Sequence, residues 1–313
     1  MNPFTKEKPY RTLNETLRKR FGKKVFKVPL NGDFTCPNRD GTKAWGGCVF
    51  CSASGSGDFN APKTLPLKQQ FENVKKGLQK KWPDSYTMPY FQANTNTYKD
   101  VSTLRSLFTE AVSLDESVVG LAVATRCDAL EDEKVELLAE MNERTPVQVE
   151  LGLQTIHEET AIKINRAHTL RCFDDAVKRL RKRGIEVVAH IINGLPGENE
   201  EMMLQTIDHL NKLDIQGVKI HMLHALKGTE LAKMTGRNEV RLLTRKEYVD
   251  ITVKQIERLR PDIVIHRLTG DAPKNQLIAP KWTLKKFVVL NEIDKLLRKK
   301  NTHQGVHYQN KTP

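Results

Sequence analysis

Residues 31–51 of this chain read NGDFTCPNRDGTKAWGGCVFC, and this stretch decides both the fold and the chemistry expected of the molecule. Cys36, Cys48 and Cys51 stand in it, with eleven residues in the first gap and two in the second. Cysteine thiolates are metal ligands, and three of them are one short of a closed zinc site or a fully ligated iron–sulfur cluster. The triad therefore indicates either a [4Fe-4S] cluster with one open iron or a structural zinc whose fourth ligand is remote in sequence.

The cysteine stretch follows the first strand of a regular alternation of strands and helices. Apolar runs predict seven strands, at residues 24–34, 87–92, 118–124, 147–153, 186–192, 217–223 and 263–267. Amphipathic segments predict helices at 11–21, 67–81, 101–114, 132–144, 157–164, 173–183, 200–213, 228–235, 245–259 and 287–300. This alternation favours a parallel sheet that is covered by helices and curled into a barrel or partial barrel. In such folds the chemistry lies where the strands end, which is where the cysteine stretch falls.

Basic charge is concentrated at the two ends of the chain. The 313 residues carry 51 Lys and Arg against 38 Asp and Glu, a net charge of +13. Residues 1–27 account for +7 of this charge and residues 281–313 for +6, so the residues between them are neutral. Such ends are either solubilising tails or a footprint for a polyanion such as RNA. We expect a basic N-terminal extension (1–23), a core (24–280) and a basic C-terminal helix and tail (281–313), with the tail mobile after Asn301.

The cysteine count and the apolar runs favour a cytoplasmic protein. Five cysteines are an odd number, and three of them crowd within residues 36–51, so a secreted disulfide framework is a poor explanation. Cys127 and Cys172 are expected to be isolated thiols. No apolar run approaches the roughly 20 residues of a membrane span, and the first residues lack the apolar core of a secretory signal. No membrane partner is therefore expected.

The cysteine stretch resembles the radical SAM enzymes, in particular the branch called YtqA/YhcC-type. This branch shares the long first gap, and it is similar to the catalytic subunit of Elongator and, more distantly, to oxygen-independent coproporphyrinogen oxidase. Further matches are ELGLQT at 150–155, NRAHT at 165–169 and HIINGLPGE at 190–198. The resemblance implies an α/β fold, a partial (β/α)6 TIM-like barrel of the radical SAM type. It also implies that the three cysteines hold a [4Fe-4S] cluster, which cleaves S-adenosylmethionine (SAM) reductively to a hydrogen-abstracting radical.

The resemblance also implies which residues would hold SAM. By their positions in the family motifs these are Phe50, Gln92, Asn94, Thr95, Asp128, Gln154, Arg166 and His190. Gln154 would face the ribose and Arg166 the carboxylate, to which a guanidinium fork is geometrically suited. Ala124 replaces an acid that can hold the ribose in relatives, so that contact must come from elsewhere. Glu150 is expected to face the barrel interior, where a polar cofactor or an Arg partner would offset the cost of burial.

The branch is linked to modification of the tRNA wobble uridine, and this gives the working hypothesis for function. The chain would process a 5-carboxymethylaminomethyl-type side chain to aminomethyl, with a flavodoxin or ferredoxin as electron donor and a tRNA methyltransferase acting downstream. Both chain ends are expected to flank the barrel opening and to grip RNA beside the cluster, with Trp282 and Tyr308 stacking on bases. The candidate RNA-contacting residues are Arg18, Lys19, Arg20, Lys23, Lys285, Lys286, Arg298 and Lys299.

Two other functions stay open at this point. One is a radical SAM enzyme that acts on a small molecule or a protein. The other is a non-catalytic RNA-binding module in which Cys36, Cys48 and Cys51 form a structural metal site. No catalytic residue beyond the cofactor ligands is assigned from the sequence.

Overall fold

The chain folds around a curled sheet of parallel strands. The structure is a computed structural model that describes Phe4, Thr5, residues 8–55 and residues 61–308. The described residues form the strands β1 (Val25–Leu30), β2 (Tyr86–Phe91), β3 (Leu121–Thr125), β4 (Val147–Gln154), β5 (Glu186–Asn193), β6 (Gly217–Met222), β7 (Ala225–Leu226), β8 (Val264–Arg267) and β9 (Leu277–Ala279). Seven of them pair in the order β1-β2-β3-β4-β5-β6-β8, each with its neighbours in parallel.

Helices connect the strands and cover the outer face of the sheet. They are α1 (Leu13–Phe21), α2 (Leu67–Gln79), α3 (Val101–Val112), α4 (Asp132–Arg144), α5 (Glu158–Lys163), α6 (Leu170–Lys182), α7 (Glu200–Leu210), α8 (Glu230–Gly236), α9 (Arg245–Arg258) and α10 (Lys286–Lys299). Several begin at a polar side chain that accepts a hydrogen bond from the backbone N–H three residues on, which fixes where the helix starts. These N-caps are Thr12, Asp100, Thr169, Asn199, Thr229 and Thr244.

The parallel order confirms the α/β half-barrel that the sequence predicts. All seven predicted strands are present, with some ends shifted by a few residues. The pattern did not predict β7 and β9, an antiparallel pair, because two and three residues are too short to show an alternation. The main core lies between the sheet and the helices, where Phe91 of β2 packs against Phe108 of α3 with ring centroids 5.4 Å apart. No helix among the described residues is long and apolar enough to cross a bilayer.

Helix α1 closes the amino-terminal end of the half-barrel. It contacts both edge strands, β1 and β8. Its buried Leu17 packs with Met88 and Ala122, in a cluster separate from the main core. Arg20, in its last turn, pairs at 2.7 Å with Glu186, the first residue of β5. The basic end of α1 therefore lies at the amino ends of the strands. The cysteine loop, residues 31–55 directly after β1, lies at the opposite edge of the sheet.

The C-terminal tail is packed, so the expectation of mobility after Asn301 is wrong as far as the described residues reach. Gln304 is fully buried. Its side-chain amide donates to the carbonyls of Arg260 and Ile263, each at 2.8 Å, and its oxygen accepts from the N–H of Arg11 at 2.9 Å. One amide thus joins the tail, the entry to β8 and the N-terminal segment. Residues 309–313 lie outside the described residues, as do residues 56–60, which follow the cysteine stretch in the chain.

Replacing Gln304 with Ala is expected to lower the free energy of unfolding by about 2 kcal/mol, because two carbonyls and one N–H lose their partner in a buried place. Urea unfolding measures this as a lower midpoint at an unchanged slope. His307→Ala, at an exposed position of the same tail, is the matched control. Equal midpoints for the wild type and Gln304→Ala would contradict the anchoring role of this amide.

Candidate active site

A cavity of about 570 Å³ opens at the carboxyl ends of the strands. It is lined by the cysteine loop and by residues from the ends of β2, β4, β5, β6 and β8. The lining includes Phe50 and all three cysteines of the triad, Cys36, Cys48 and Cys51, which are free thiols. A volume of this size lies within the range of cofactor and substrate sites. The fold thus gathers the cysteines and most of the family motifs around one space.

The backbone that carries the cysteines is held by two asparagine side chains. The Asn38 amide donates to the carbonyl of Asn165 at 2.6 Å and to the sulfur of Cys48 at 3.4 Å. In return, the Asn165 amide donates to the carbonyls of Gly47 at 2.8 Å and Trp45 at 3.0 Å. Asn165 has φ 52, in the left-handed region that Asn tolerates better than most residues. The cysteine loop is therefore tied to the turn after α5 through hydrogen bonds of its own.

The environment favours the thiolate form of Cys48, whereas the hydrogen bond to Cys48 and burial raise the pKa of Cys51. A hydrogen bond from the Cys51 thiol lowers the pKa of Cys48 to about 7 against the effect of burial, and the Arg126 guanidinium acts in the same direction. The thiolate is the form that binds iron. Among the described residues, no three His, Cys, Asp or Glu side chains stand close enough to bind one and the same metal ion. An iron–sulfur cluster does not need such closeness, because each thiolate binds a different iron. The three thiols and the adjacent guanidinium fit an anionic iron–sulfur cluster.

Seven of the eight residues that the resemblance assigns to SAM line this cavity. They are Phe50, Gln92, Asn94, Thr95, Gln154, Arg166 and His190. The eighth, Asp128, is not part of the lining. Its carboxylate accepts hydrogen bonds from Arg126 Nε at 2.8 Å and Nη2 at 2.7 Å, and Arg126 itself faces the cavity. In this structure Asp128 orients Arg126.

Arg166 is almost enclosed by backbone carbonyls. Its Nη1 donates to Leu153 at 2.8 Å, and its Nε and Nη2 donate to His168 at 3.0 and 2.8 Å. Only 1% of the side chain is exposed. The guanidinium therefore fixes the loop after β4, and contact with the SAM carboxylate stays a prediction. Burial and the neighbouring Arg166 lower the pKa of His168 to about 4, so that imidazole is neutral at physiological pH.

Gln154 reaches the cavity because the strand that carries it is irregular. Its φ is 66, and the register between β4 and β5 shifts between Gly152 and Gln154. A Cβ on Gly152 would stand 2.7 Å from Gln154 Nε2. The missing side chain at Gly152 thus leaves the room into which the Gln154 amide folds back.

The floor of the cavity is built around one buried carboxylate, Glu150 in the middle of β4. Its side chain has no exposed surface. Oε1 accepts from Lys27 at 2.5 Å, while Oε2 accepts from the Tyr90 hydroxyl at 2.5 Å and contacts His190 Nε2 at 2.8 Å and the Lys219 ammonium. These partners come from β1, β2, β5 and β6. Glu150 lies in the interior, as expected from the sequence, but its charged partners are lysines and not an Arg.

The charged residues at the floor of the cavity, together with burial, determine which of its side chains are ionised. Burial would raise the pKa of Glu150, but Lys219 and Lys27 hold it well below its usual range. Burial lowers the pKa of Lys219 to about 8, with Glu150 acting in the opposite direction. Burial and Lys219 also lower the pKa of His190, and burial raises that of Tyr90. At neutral pH the floor is therefore an ionised carboxylate between two lysines, with neutral imidazole and phenol groups.

The basic residues predicted to contact RNA separate into two places. Lys286 lines the cavity, and Lys285 precedes it in the chain. Arg18, Lys19, Arg20 and Lys23 belong to the α1 end at the amino edge of the sheet, so the prediction that the N-terminal end lies beside the cysteines is wrong. Arg298 and Lys299 end α10, about 20 Å from its start at 1.5 Å per residue.

Trp282 does not present the stacking surface that the sequence analysis assigned to it. Its indole N–H donates to the Leu243 carbonyl at 3.0 Å, and its ring packs 5.5 Å from that of Tyr248. The exposed aromatic side chains near the cavity are instead Trp45 and Phe287, at 75% and 71% exposure. Phe287 directly follows the lining residue Lys286, whose ammonium lies 5.8 Å from its ring centre, and Trp45 precedes the lining residue Gly47 by two positions in the chain.

Cys127 and Cys172 are neighbours, although the sequence suggested two isolated thiols. A hydrogen bond between them and burial raise the pKa of Cys127, and the same hydrogen bond lowers that of Cys172. Cys127 is buried and Cys172 is half-buried. Neither belongs to the cavity lining. The two thiols lie 45 positions apart in the chain, so spacing alone gave no signal of their contact.

Sequence reasoning missed several cavity residues. Tyr90, Lys219, His221 and Arg267 all line it. They sit on predicted strands, where an isolated polar residue facing inward was a usable signal for Lys219 and Arg267. Tyr90 gave no such signal, because an aromatic residue in a strand is ordinary core material.

The half-barrel, with three cysteines on the loop after its first strand, defines a radical SAM protein, and the chain belongs to that superfamily. The family model described as "Radical SAM superfamily" matches residues 38–210, and the "Radical_SAM C-terminal domain" matches residues 215–299. The YtqA/YhcC-type resemblance is confirmed as well. The chain is 49% identical to the uncharacterized protein YtqA of Bacillus subtilis over 98% of this chain and 96% of that one. It is 35% identical to the protein YhcC of Escherichia coli over 90% of each.

More distant similarity extends to a protein named for tRNA and to the solved structure of an archaeal Elp3. A tRNA uridine(34) acetyltransferase of Methanocaldococcus jannaschii is 27% identical over 54% of this chain and 32% of its own length. The solved structure of an N-terminally truncated Elp3 from Methanocaldococcus infernus aligns with TM-score 0.67 and 18% identity, over 90% of this chain and 64% of that one. At that identity the structural match shows a shared fold. Radical SAM proteins use a [4Fe-4S] cluster and SAM, which confirms both expected cofactors.

Replacing Cys48 with Ala is expected to remove the cluster, since three thiolates are the whole protein ligand set. After anaerobic reconstitution, the wild type should hold about four irons and four sulfides per chain and form 5′-deoxyadenosine from SAM and reductant. Cys48→Ala should lose most of the iron and all of the product. Cys172→Ala, a thiol outside the cavity, is the control and should match the wild type. Zinc in place of iron in the wild type would contradict this reading of the triad.

Replacing Glu150 with Gln is expected to destabilise the protein by about 3 kcal/mol at pH 7, because two lysines lose their buried counter-charge. The loss should shrink towards pH 9, since Lys219, with its pKa of about 8, then sheds its proton in the wild type too. Urea unfolding at both pH values is the measurement. Glu140→Gln breaks the exposed pair with Arg105 and is the control, with little change expected. Equal effects of the two substitutions would contradict the role of Glu150.

Proposed function

We propose that this chain is a tRNA-modifying radical SAM enzyme. Its substrate would be a wobble uridine that carries a 5-carboxymethylaminomethyl-type side chain, and its product the 5-aminomethyl form. The observation that carries the proposal is the entrance of the cavity, where the ammonium of the lining residue Lys286 lies 5.8 Å from the centre of the exposed Phe287 ring. Aromatic rings among cations suit unpaired bases and phosphates, as in a tRNA anticodon loop.

The names of distant relatives support the same substrate class. The relative named a tRNA uridine(34) acetyltransferase is similar to 54% of the residues of this chain. Uridine 34 is the wobble position, where the side chain of the proposed substrate is attached. The YtqA and YhcC relatives cover nearly the whole chain and carry no substrate in their names.

The proposed reaction is a net two-electron oxidation of the substrate by SAM. A bound cluster and SAM supply a hydrogen-abstracting carbon radical. The methylene between the amine and the carboxylate would lose a hydrogen atom to this radical. The resulting substrate radical would return one electron to the cluster and lose the proton of its amine nitrogen, which gives an imine. Water would then release glyoxylate and leave the aminomethyl group. SAM is reduced to methionine and 5′-deoxyadenosine, so the atoms and electrons balance without a further oxidant.

The chain's own residues bind and position the reactants. Cys36, Cys48 and Cys51 would hold the cluster. Phe50, Gln92, Asn94, Thr95, Gln154 and His190 would enclose SAM, with Arg126 held in place by Asp128 and Arg166 by backbone carbonyls. A flavodoxin or ferredoxin would supply the initiating electron, and a tRNA methyltransferase would use the aminomethyl product.

The basic residues fall into two groups, one beside the reacting base and one far from it, and each would contact a different part of the tRNA. Lys285 and Lys286, beside the cavity, are proposed to contact the anticodon loop. Arg18, Lys19, Arg20, Lys23, Arg298 and Lys299 stand far from the cavity mouth, so any contact they make must be with a remote part of the tRNA. Binding should therefore weaken steeply with salt, by an amount that reflects the number of phosphates contacted.

Deletion of the coding gene is expected to enrich 5-carboxymethylaminomethyl-type wobble uridines in tRNA at the expense of aminomethyl-derived ones. Mass analysis of tRNA nucleosides is the measurement. Complementation with the wild type should restore the profile, and complementation with Cys48→Ala should not. An unchanged profile on deletion would sink the tRNA proposal. A purified enzyme that forms 5′-deoxyadenosine but binds no tRNA at low salt would instead favour a small-molecule or protein substrate.

A further inference from the structure

The part of the cavity away from the cysteines carries more positive than negative charge. Its lining contains the cations Lys219, Arg267 and Lys286 and the acids Glu150 and Asp271. Lys27 adds a fourth cation behind Glu150, at 2.5 Å. Four cations against two acids leave two positive charges without a counter-charge among the described residues of this region.

Each acid there is shared between two cations. Glu150 contacts both Lys27 and Lys219, and Asp271 contacts both Arg267 and Lys286, the latter at 3.0 Å. Exposure of the Arg267 and Asp271 side chains is 33% each, so this pair stands at the entrance while the Glu150 group forms the floor. In the buried Glu150 group two cations share one acid, and burying such an unbalanced charge is costly unless a ligand completes the balance.

Histidines on the same wall offer further polar groups. His221 in β6 and His224, which lies two residues after the end of β6, both line the cavity. The Nε2 atom of each ring is buried and has no hydrogen-bond partner among the described residues. A buried ring nitrogen without a partner is uncommon and calls for an explanation. Either nitrogen, as an N–H, can donate to an anionic oxygen.

We propose that Lys219, His221 and Arg267 form a carboxylate-binding subsite, which holds the carboxylate end of the substrate side chain. The subsite rests on the proposed function, because it specifies which part of the proposed substrate these residues bind. Glu150 and Asp271 act as positioning residues that hold the two cations on either side of the subsite. Lys286, next to Asp271, links the subsite to the RNA-binding mouth.

The location separates this subsite from the SAM carboxylate. Arg39 and Arg126, which act on the thiols, lie on the cysteine side of the cavity. The proposed subsite comes from β6 and β8, at the other side of the opening between the sheet edges. A side chain that enters from the mouth would therefore place its methylene between the carboxylate subsite and the cysteines.

The direct test compares two anticodon stem-loop RNAs, one with 5-carboxymethylaminomethyluridine and one with 5-aminomethyluridine, bound to the SAM-loaded holoenzyme. The wild type should bind the carboxylate-bearing RNA about tenfold or more tightly, the worth of one charge-assisted contact. Arg267→Gln and Lys219→Met should each bring this preference below about threefold. Two variants are used because Lys219 is buried and its replacement affects folding, whereas Arg267 is partly exposed. Arg241→Gln, an exposed arginine that pairs with Glu247, is the control and should keep the full preference.

A second measurement separates failure of the subsite from failure of the tRNA proposal. N-methylglycine, which has the carboxylate, should raise the melting temperature of the wild-type holoenzyme, methylamine should not, and Arg267→Gln should abolish the rise. Stabilisation by N-methylglycine without any conversion of tRNA would uphold the subsite and overturn the wobble-uridine function. Conversion of tRNA with the preference kept in both variants would overturn the subsite and leave the function standing.

Discussion

The buried carboxylate of Glu150 is the interaction on which the rest of the structure depends. It lies in the middle strand of the sheet and joins Lys27, Tyr90, His190 and Lys219, so it draws five strands together around one charge. A sheet that is open between its edges needs such a tie, because no strand pairing links β1 to β8 in the described strand order. The same contacts set the floor of the cavity and fix which of its groups are charged.

Above that floor the cavity has two sides with different tasks. On one side, the amides of Asn38 and Asn165 hold the cysteine loop, and guanidinium groups favour the thiolate form of Cys48. On the other side, Arg267 and Lys286 share the single acid Asp271, which leaves the entrance with one excess positive charge. The first arrangement suits a cluster and SAM, which the superfamily uses. The second would select the substrate, and the gap between them is where chemistry would occur.

The sequence could predict the strands and the cysteine triad, because local patterns encode both, and seven of the eight residues that the resemblance assigned to SAM line the cavity. It could not predict the partners of Glu150, since Lys27 and Lys219 are 123 and 69 positions away. Nor could it place α1, because a short basic amphipathic helix fits either end of a barrel. The burial of Gln304 could not be predicted for a related reason. A polar residue in a polar tail is ordinarily exposed, and the three backbone groups that bind the Gln304 amide are distant in sequence.

The central claim is that the radical removes hydrogen from the methylene next to the carboxylate of the uridine side chain. The most direct measurement uses tRNA that carries deuterium at that methylene, incubated anaerobically with holoenzyme, SAM and a reductant. Our account predicts deuterium in the 5′-deoxyadenosine, formed together with glyoxylate and the aminomethyl nucleoside. Formation of 5′-deoxyadenosine without deuterium, while the labelled side chain stays intact, would contradict it.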